Sequence, residues 1–139
     1  MAESFVIQEV NKLNLKDGEY IVVAGGILDA LGIRVTKDVD LVVTDEVYER
    51  LKNEGWEEIE RNYGEKKKTV LVRGVYEIDT FWIDGSGKLS LEKLLKESQL
   101  VGGVTFVNLG MLLRWKKWAN REKDQRDIKL IEQFLEENQ

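Results

Sequence analysis

The chain reads as an α/β (α+β) domain, a mixed β-sheet flanked by helices with a helical C-terminal segment. Three observations predict it. Continuous β-prone apolar runs at residues 20–24 and 39–43 are separated by a short, glycine-bounded helical stretch. Further runs at 56–61, 68–72 and 75–83 are strand-like and are joined by turn residues. From residue 108 onward apolar residues recur at helical spacing only. The expected organisation is one domain over residues 1–139, with an α/β core in 1–107 and a helical pair in 108–139.

Each element has a local reason. Phe5, Val6, Val10 and Leu13 fall on one helical face, which predicts a helix over 3–14. Lys16-Asp17-Gly18-Glu19 is a turn, and residues 20–24 form a buried strand. A short helix through Leu28 and Leu31 follows the glycine pair and ends at Gly32. Residues 39–43 form a second buried strand. Thr44 then caps a helix whose first turn holds Asp45 and Glu46 and whose inner face is Val47, Tyr48 and Leu51; Gly55 closes it. Residues 56–61 suit a sheet edge, and Arg73-Gly74 reads as a hairpin turn between 68–72 and a single strand at 75–83. Asp84-Gly85-Ser86-Gly87 is a loop, and Ser90 caps a helix through Leu91, Leu94 and Leu95. A short strand weakened by Gly102-Gly103 is expected within 101–107. Asn108 caps a helix through Met111, Leu112, Trp115 and Trp118, and a last helix buries Ile128, Ile131 and Leu135.

Composition narrows the chemistry. With 42% hydrophobic and 34% charged residues the chain is globular rather than disordered. Cysteine and histidine are both absent, which removes disulfides, thiol nucleophiles, imidazole bases and the usual zinc sites. Catalysis would rest on carboxylates, lysine, hydroxyls or a hard, oxygen-liking metal. The net charge of −5 disfavours broad nucleic-acid binding. Cations are nevertheless concentrated in Lys66, Lys67 and Lys68 and between Arg114 and Lys129. The first cluster reads as a loop or strand end, and Lys129 as surface. No apolar run reaches the length of a membrane span and Met1-Ala2-Glu3-Ser4 lacks a basic-then-apolar leader, so a cytoplasmic chain with no membrane partner is expected.

The stretch from Gly25-Gly26 to Asp38-Val39-Asp40 carries the chemical signal. Glycines let backbone amides approach a phosphate. Two aspartates at i and i+2 on a strand point to one side and can share a divalent cation, while Val39 and Leu41 face the core. The bland alternative for Asp38 and Asp40 is a solvated strand start. A third acid is sought nearby. Asp79 sits within Val75-Tyr76-Glu77-Ile78-Asp79-Thr80-Phe81-Trp82, where an acid is costly unless paired or coordinated. Glu77, on the same face, competes with it. In this scheme Asp38, Asp40 and Asp79 hold one or two Mg²⁺ ions, Asp79 joining the second, and Gly25 and Gly26 hold phosphates.

With these residues in order, the chain resembles the nucleotidyltransferase superfamily, the fold shared by DNA polymerase beta and kanamycin nucleotidyltransferase. Arg34-Val35-Thr36-Lys37-Asp38-Val39-Asp40 is similar to the Arg-x-Thr-x-Asp-x-Asp form of its minimal, abortive-infection type IV toxin-like branch. The segment from Leu112 to Ile128 is similar to that branch's lysine followed by Arg-x-Lys-Asp and Asp-Ile. By position Lys116 matches the family lysine, with Lys117 the alternative if the register slips, and Lys123 matches the lysine of the Lys-Asp pair. The resemblance implies an Mg²⁺- or Mn²⁺-dependent transfer of NMP from an NTP to a hydroxyl acceptor on RNA, protein or a small molecule. It implies catalytic roles for Asp38, Asp40, Asp79 and Lys116, and nucleotide contacts from Gly25, Gly26, Arg34, Thr36 and Lys123. The alternatives are an inactive nucleotide-binding or regulatory module and the toxin component of a toxin–antitoxin pair.

Departures accompany it. Gly26 stands where relatives carry serine, so no hydroxyl supplements the phosphate contact. With the chain ending soon after the last helix, acceptor recognition would fall to a small surface, a homo-oligomer or a partner protein. Arg121, Lys123 and Arg126 suit a solvated helix face as well as phosphate or acceptor binding. Trp115 and Trp118 are expected in the core or an interface rather than as base-stacking platforms.

Overall fold

A computed structural model describes residues 4–63 and 66–138, together with the backbone but not the side chains of residues 63 and 66. Residues 1–3 lie outside the described residues, and with them the leader reading and the expected start of the first helix; so does the side chain of Lys66. The elements run α1 (Phe5–Asn11), β1 (Tyr20–Val23), α2 (Gly26–Ala30), β2 (Val39–Val43), α3 (Asp45–Asn53), β3 (Glu57–Tyr63), β4 (Lys66–Arg73), β5 (Tyr76–Asp79), β6 (Phe81–Asp84), β7 (Gly87–Ser90), α4 (Leu91–Leu95), β8 (Ser98–Val101), β9 (Val104–Val107), α5 (Leu109–Ala119) and α6 (Glu122–Glu137).

Seven strands form one mixed sheet in the order β3-β4-β5-β2-β1-β9-β8, and β6 with β7 makes a separate hairpin. The central pair β1–β2 is antiparallel; β9 joins β1 and β5 joins β2 in parallel. Both faces of the centre are covered, which is why β1 is buried at every position. On one face Val22, Leu41, Ile78 and Phe106 pack with Val6 and Val10 of α1, Ile27 and Leu28 of α2, Val47 and Leu51 of α3, and Leu109, Leu112 and Ile131 of the C-terminal helices. On the other face Ile21, Val23, Val42 and Val107 meet Leu91, Leu94 and Met111, with Trp82 and Leu89 of the small hairpin at the margin. The alternation along β2 divides it between these layers: Val39 and Leu41 enter the first, Asp40 and Val42 face the second.

Side-chain caps start the helices where the sequence placed them. Thr44 accepts from the Val47 amide, Ser90 from Lys93 and Asn108 from Met111. Gly32 and Gly55 end α2 and α3 with φ +73° and +95°. Three segments depart from expectation. The run 75–83 is two strands: β5 stays in the large sheet, and from Phe81 the chain leaves to pair with β7, because β2 ends at Val43 and offers no further edge. Gly102 and Gly103, both at positive φ, do not weaken a strand; they form the two-residue turn of a hairpin between β8 and β9, pairing Val101 with Val104. On α6 it is Phe134 that packs against the core, while Leu135 is exposed. Among the described residues no helix is long and apolar enough to cross a membrane.

Candidate functional site

The C-terminal end of β1 and the start of β2 lie side by side, since Val23 pairs with Asp40. Immediately after Val23 the chain bends at Ala24, whose φ of +58° is left-handed, and Gly25 follows at φ −77°. Successive residues of this kind turn backbone amides toward a common point. The two glycines have different duties. A Cβ on Gly26 would stand 2.5 Å from Val22 Cγ1, so Gly26 is needed for the packing of α2 against β1. A Cβ on Gly25 would meet only the end of the Arg34 guanidinium, at 3.1 Å. Gly25 and Ala24 face the open cleft beside the sheet; Gly26 is buried.

Four acids share one face of β2 and β5. Asp40 and Glu77 are register partners, Val42 and Asp79 are the next pair on that face, and Asp38 lies two residues before Asp40. Asp38 is exposed and Asp40 half-buried. Burial pushes the Asp40 carboxyl up to about 7, reinforced by the negative charges of Glu77, Asp38 and Asp79 and relieved only in part by Lys68. Glu77 accepts from Arg61 Nε and Nη2, at 3.1 and 2.8 Å. Asp79 is 2% exposed, and its Oδ2 lies 3.1 Å from the ammonium of Lys68, itself buried. Its Oδ1 is buried with no hydrogen-bond partner among the described residues. Burial raises Asp79 to about 6 against the pull of Lys68. Lys68 is therefore no loop residue. It lies on β4 and turns inward, its ammonium 5.2 Å from the ring centres of both Phe81 and Trp82.

The opposite wall comes from α5 and α6. Lys116, 5% exposed, sits 3.2 Å from Asp124 and 3.0 Å from Asp127. Arg34, from the loop before β2, pairs with Asp127 through Nε and Nη2 at 2.7 and 2.9 Å. Arg121 donates to both oxygens of Asp124 and stacks its guanidinium 4.9 Å from the Trp115 ring centre. Burial works to raise Asp124, but the hydrogen bonds from Arg121 and Lys116 outweigh it and hold the carboxyl at about 2. Asp127 is lowered in the same way: burial opposes, and Arg34 and Lys116 prevail. The chain Arg34–Asp127–Lys116–Asp124–Arg121 thus fastens the helical pair to the loop beside the glycine bend. Lys117 points away to Glu132, at 3.3 Å, so of the two lysines it is Lys116 that lines the cleft.

Between the walls lies an open cleft of about 1010 Å³. Gly25, Arg34, Thr36, Asp38, Asp40, Lys116 and Lys123 all line it. Gly26 and Asp79 do not. Arg34 and Thr36 also shape the loop, since the Thr36 amide donates to Asp29, which in turn holds Ser4 and the Val6 amide at the start of α1. The cleft wall further includes Ala24, Glu77, Arg126 and Trp118. Trp118 is 52% exposed, so it is not in the core, one of the two positions expected for it. Helical spacing placed it beside Trp115, but only Trp115 is packed, with its Nε1 donating to the Ile83 carbonyl. Glu77 was separable from Asp79 only through register: it is Glu77, not Asp79, that sits opposite Asp40.

Among the described residues no three acidic side chains converge as a ready-made metal cage. A Mg²⁺ ion does not require one, because it is typically held by one or two carboxylates, waters and substrate phosphates. Asp38 and Asp40 supply hard oxygens in an acidic patch that Arg61 and Lys68 compensate only in part, so the donor set fits such an ion in kind. Compared with protein-family models, curated proteins and solved structures, the chain matches none.

Proposed function

We propose that this protein is a divalent-metal-dependent nucleotidyltransferase, moving NMP from an NTP to a hydroxyl acceptor. One observation carries the reading: Gly25, the Asp38–Asp40 pair, Arg34, Lys116 and Lys123, scattered across the chain, all line a single cleft. That combination suits a triphosphate, with acids on one wall and cations on the other. Asp38 and Asp40 would hold the metal, which when bound neutralises charge on the triphosphate and on departing pyrophosphate. The bend at Ala24 and Gly25 offers backbone amides to phosphate oxygens. Lys123 and Arg126 are exposed on the cleft wall, and neither is engaged by an ion pair among the described residues, so both are available for phosphate. Lys116 and Arg34 are committed to Asp124 and Asp127, and serve by holding the helical wall against the loop.

A second reading, nucleotide binding without transfer, is favoured by one feature. Asp79 is already paired with Lys68, and so is withdrawn from the role of third catalytic acid. Incubation with labelled NTPs and candidate acceptors, beside calorimetry with NTP and Mg²⁺, separates the two. Transfer that disappears in Asp38→Asn with Asp40→Asn supports the enzyme. Binding without turnover supports the module, and no nucleotide binding at all removes both.

A further inference from the structure

The hairpin β3–β4 carries Arg61 and Lys68 as direct register partners, so both side chains project to the same face. That is the face on which β5 presents Glu77 and Asp79, since Leu71 pairs with Ile78 and the positions beside them alternate in step. Each acid has a cation against it: Arg61 meets Glu77 at 2.8 Å and Lys68 meets Asp79 at 3.1 Å. The second pair is sealed. Both side chains are about 5% exposed or less, and the ammonium is lodged against Phe81 and Trp82. A buried ammonium among aromatic rings and a carboxylate is held in place, because leaving would strand the carboxylate without its counter-charge.

We infer that Lys68 is a built-in cation that takes the place of a second metal ion at Asp79, so that the cleft binds a single divalent ion through Asp38 and Asp40. This rests on the proposed nucleotidyltransferase reading and departs from the sequence-based scheme in which Asp79 joins a second ion. The position a second ion would need, between Asp79 and Asp40, adjoins an ammonium already 3.1 Å from Asp79, and repulsion between the two cations keeps the ion out. Asp79 is then a positioning residue. It holds Lys68, and through it tempers the negative charge around Asp40.

Electron paramagnetic resonance of the full chain with Mn²⁺ and a non-hydrolysable NTP tests this without relying on turnover. The wild-type protein is expected to hold one Mn²⁺ per chain with an uncoupled spectrum. Two ions would lie roughly 3.5–4 Å apart and show spin coupling, a result that overturns the inference. No bound Mn²⁺ would instead remove the underlying functional reading. Asp79→Asn is expected to leave the Mn²⁺ affinity within about threefold of wild type, whereas Asp40→Asn lowers it by about tenfold or more; an equal loss in both overturns the inference. Lys68→Met, which keeps the apolar stem and deletes the charge, is expected to admit a second, coupled Mn²⁺. A folded Lys68→Met protein that still binds one ion speaks against it, and should this variant fail to fold, Asp79→Asn decides.

Discussion

Arg34 and Asp127 stand 93 residues apart in the chain and meet through two parallel hydrogen bonds, Nε to Oδ1 at 2.7 Å and Nη2 to Oδ2 at 2.9 Å. The same carboxylate receives the buried Lys116 ammonium at 3.0 Å. Removing one partner therefore has unequal costs. Asp127→Asn leaves Arg34 without its carboxylate partner and Lys116, 5% exposed on the cleft wall, with Asp124 alone, and is expected to destabilise the fold by about 2 kcal/mol. Arg34→Gln leaves Asp127 paired with Lys116, and the lost guanidinium is a third exposed, so a cost of about 1 kcal/mol is expected. Urea unfolding of the two variants checks the order; equal effects would mean that the network is not shared as described.

The pH dependence of stability follows from opposed groups. Asp40 sits at about 7 in the fold against an ordinary 3.8, so between those values the folded chain keeps a proton that the unfolded chain has lost. Its contribution is fully present below about pH 4 and is lost as pH rises through 7. Asp79, raised to about 6, acts in the same direction. Asp124, at about 2, and Asp127, also lowered, act the other way: their stabilisation is present above the ordinary carboxylate range and is lost as pH falls toward 2. Stability without metal is expected to peak in acidic solution, at about pH 4. In Asp40→Asn the decline toward neutral pH should become shallower, leaving the variant more stable than wild type at pH 8. Urea midpoints measured from pH 3 to 8 report this, and parallel profiles for the two proteins would contradict it.

The glycine pair yields a sharper contrast than its sequence implies. Gly26→Ala drives a methyl to 2.5 Å from Val22 Cγ1, where both neighbours are fully buried, and should cost about 1–3 kcal/mol by overpacking. Gly25→Ala meets only the tip of the Arg34 side chain, at 3.1 Å, and should cost less, while disturbing the Arg34–Asp127 pair. Ala24→Gly relieves a left-handed alanine and should leave the melting temperature unchanged or raised. Thermal melts of the three variants rank them; a Gly25→Ala protein less stable than Gly26→Ala would reverse the assignment of duties.

Local chemistry made much of this architecture legible. Caps at Thr44, Ser90 and Asn108, the buried runs of β1 and β2, and the edge position of β3 all follow from short-range rules, and β2 spans the expected residues 39–43. Features set by which strand lies beside which were not readable. The exit of the chain at Phe81 depends on where β2 stops, and the meeting of Arg61 and Lys68 with Glu77 and Asp79 depends on two registers at once. Lys68 reads with its neighbours as a loop or strand end; it does lie near the start of β4, but nothing beside it in sequence marks the side that turns inward. Of the cleft residues, Asp38 and Asp40 were found by spacing, and Lys116 through the resemblance. Glu77 and Arg126 stand as alternatives that the sequence leaves open, whereas Ala24 and Trp118 had no comparable signal, since their place in the wall comes from tertiary packing alone.

Trp118 gives the last test, because its environment separates structure from binding. The indole is half exposed and lies over the backbone of Gly85, where a Cβ would stand 2.7 Å from its Cδ1. It therefore adds little to the core, and Trp118→Ala should change stability by about 1 kcal/mol or less. If the cleft takes a nucleotide as proposed, an aromatic face open on its wall is also a surface on which a base can stack, a contact worth about 1–3 kcal/mol. Nucleotide binding is accordingly expected to weaken about tenfold in Trp118→Ala, and to survive in Trp118→Phe, which keeps a stacking ring. Titration of wild-type tryptophan fluorescence with NTP should show quenching that Trp118→Phe diminishes, since Trp56, Trp82 and Trp115 are more deeply packed. Unchanged affinity in Trp118→Ala, or quenching that persists in full without the indole, would place the base elsewhere in the cleft and leave Trp118 as a cover for Gly85 alone.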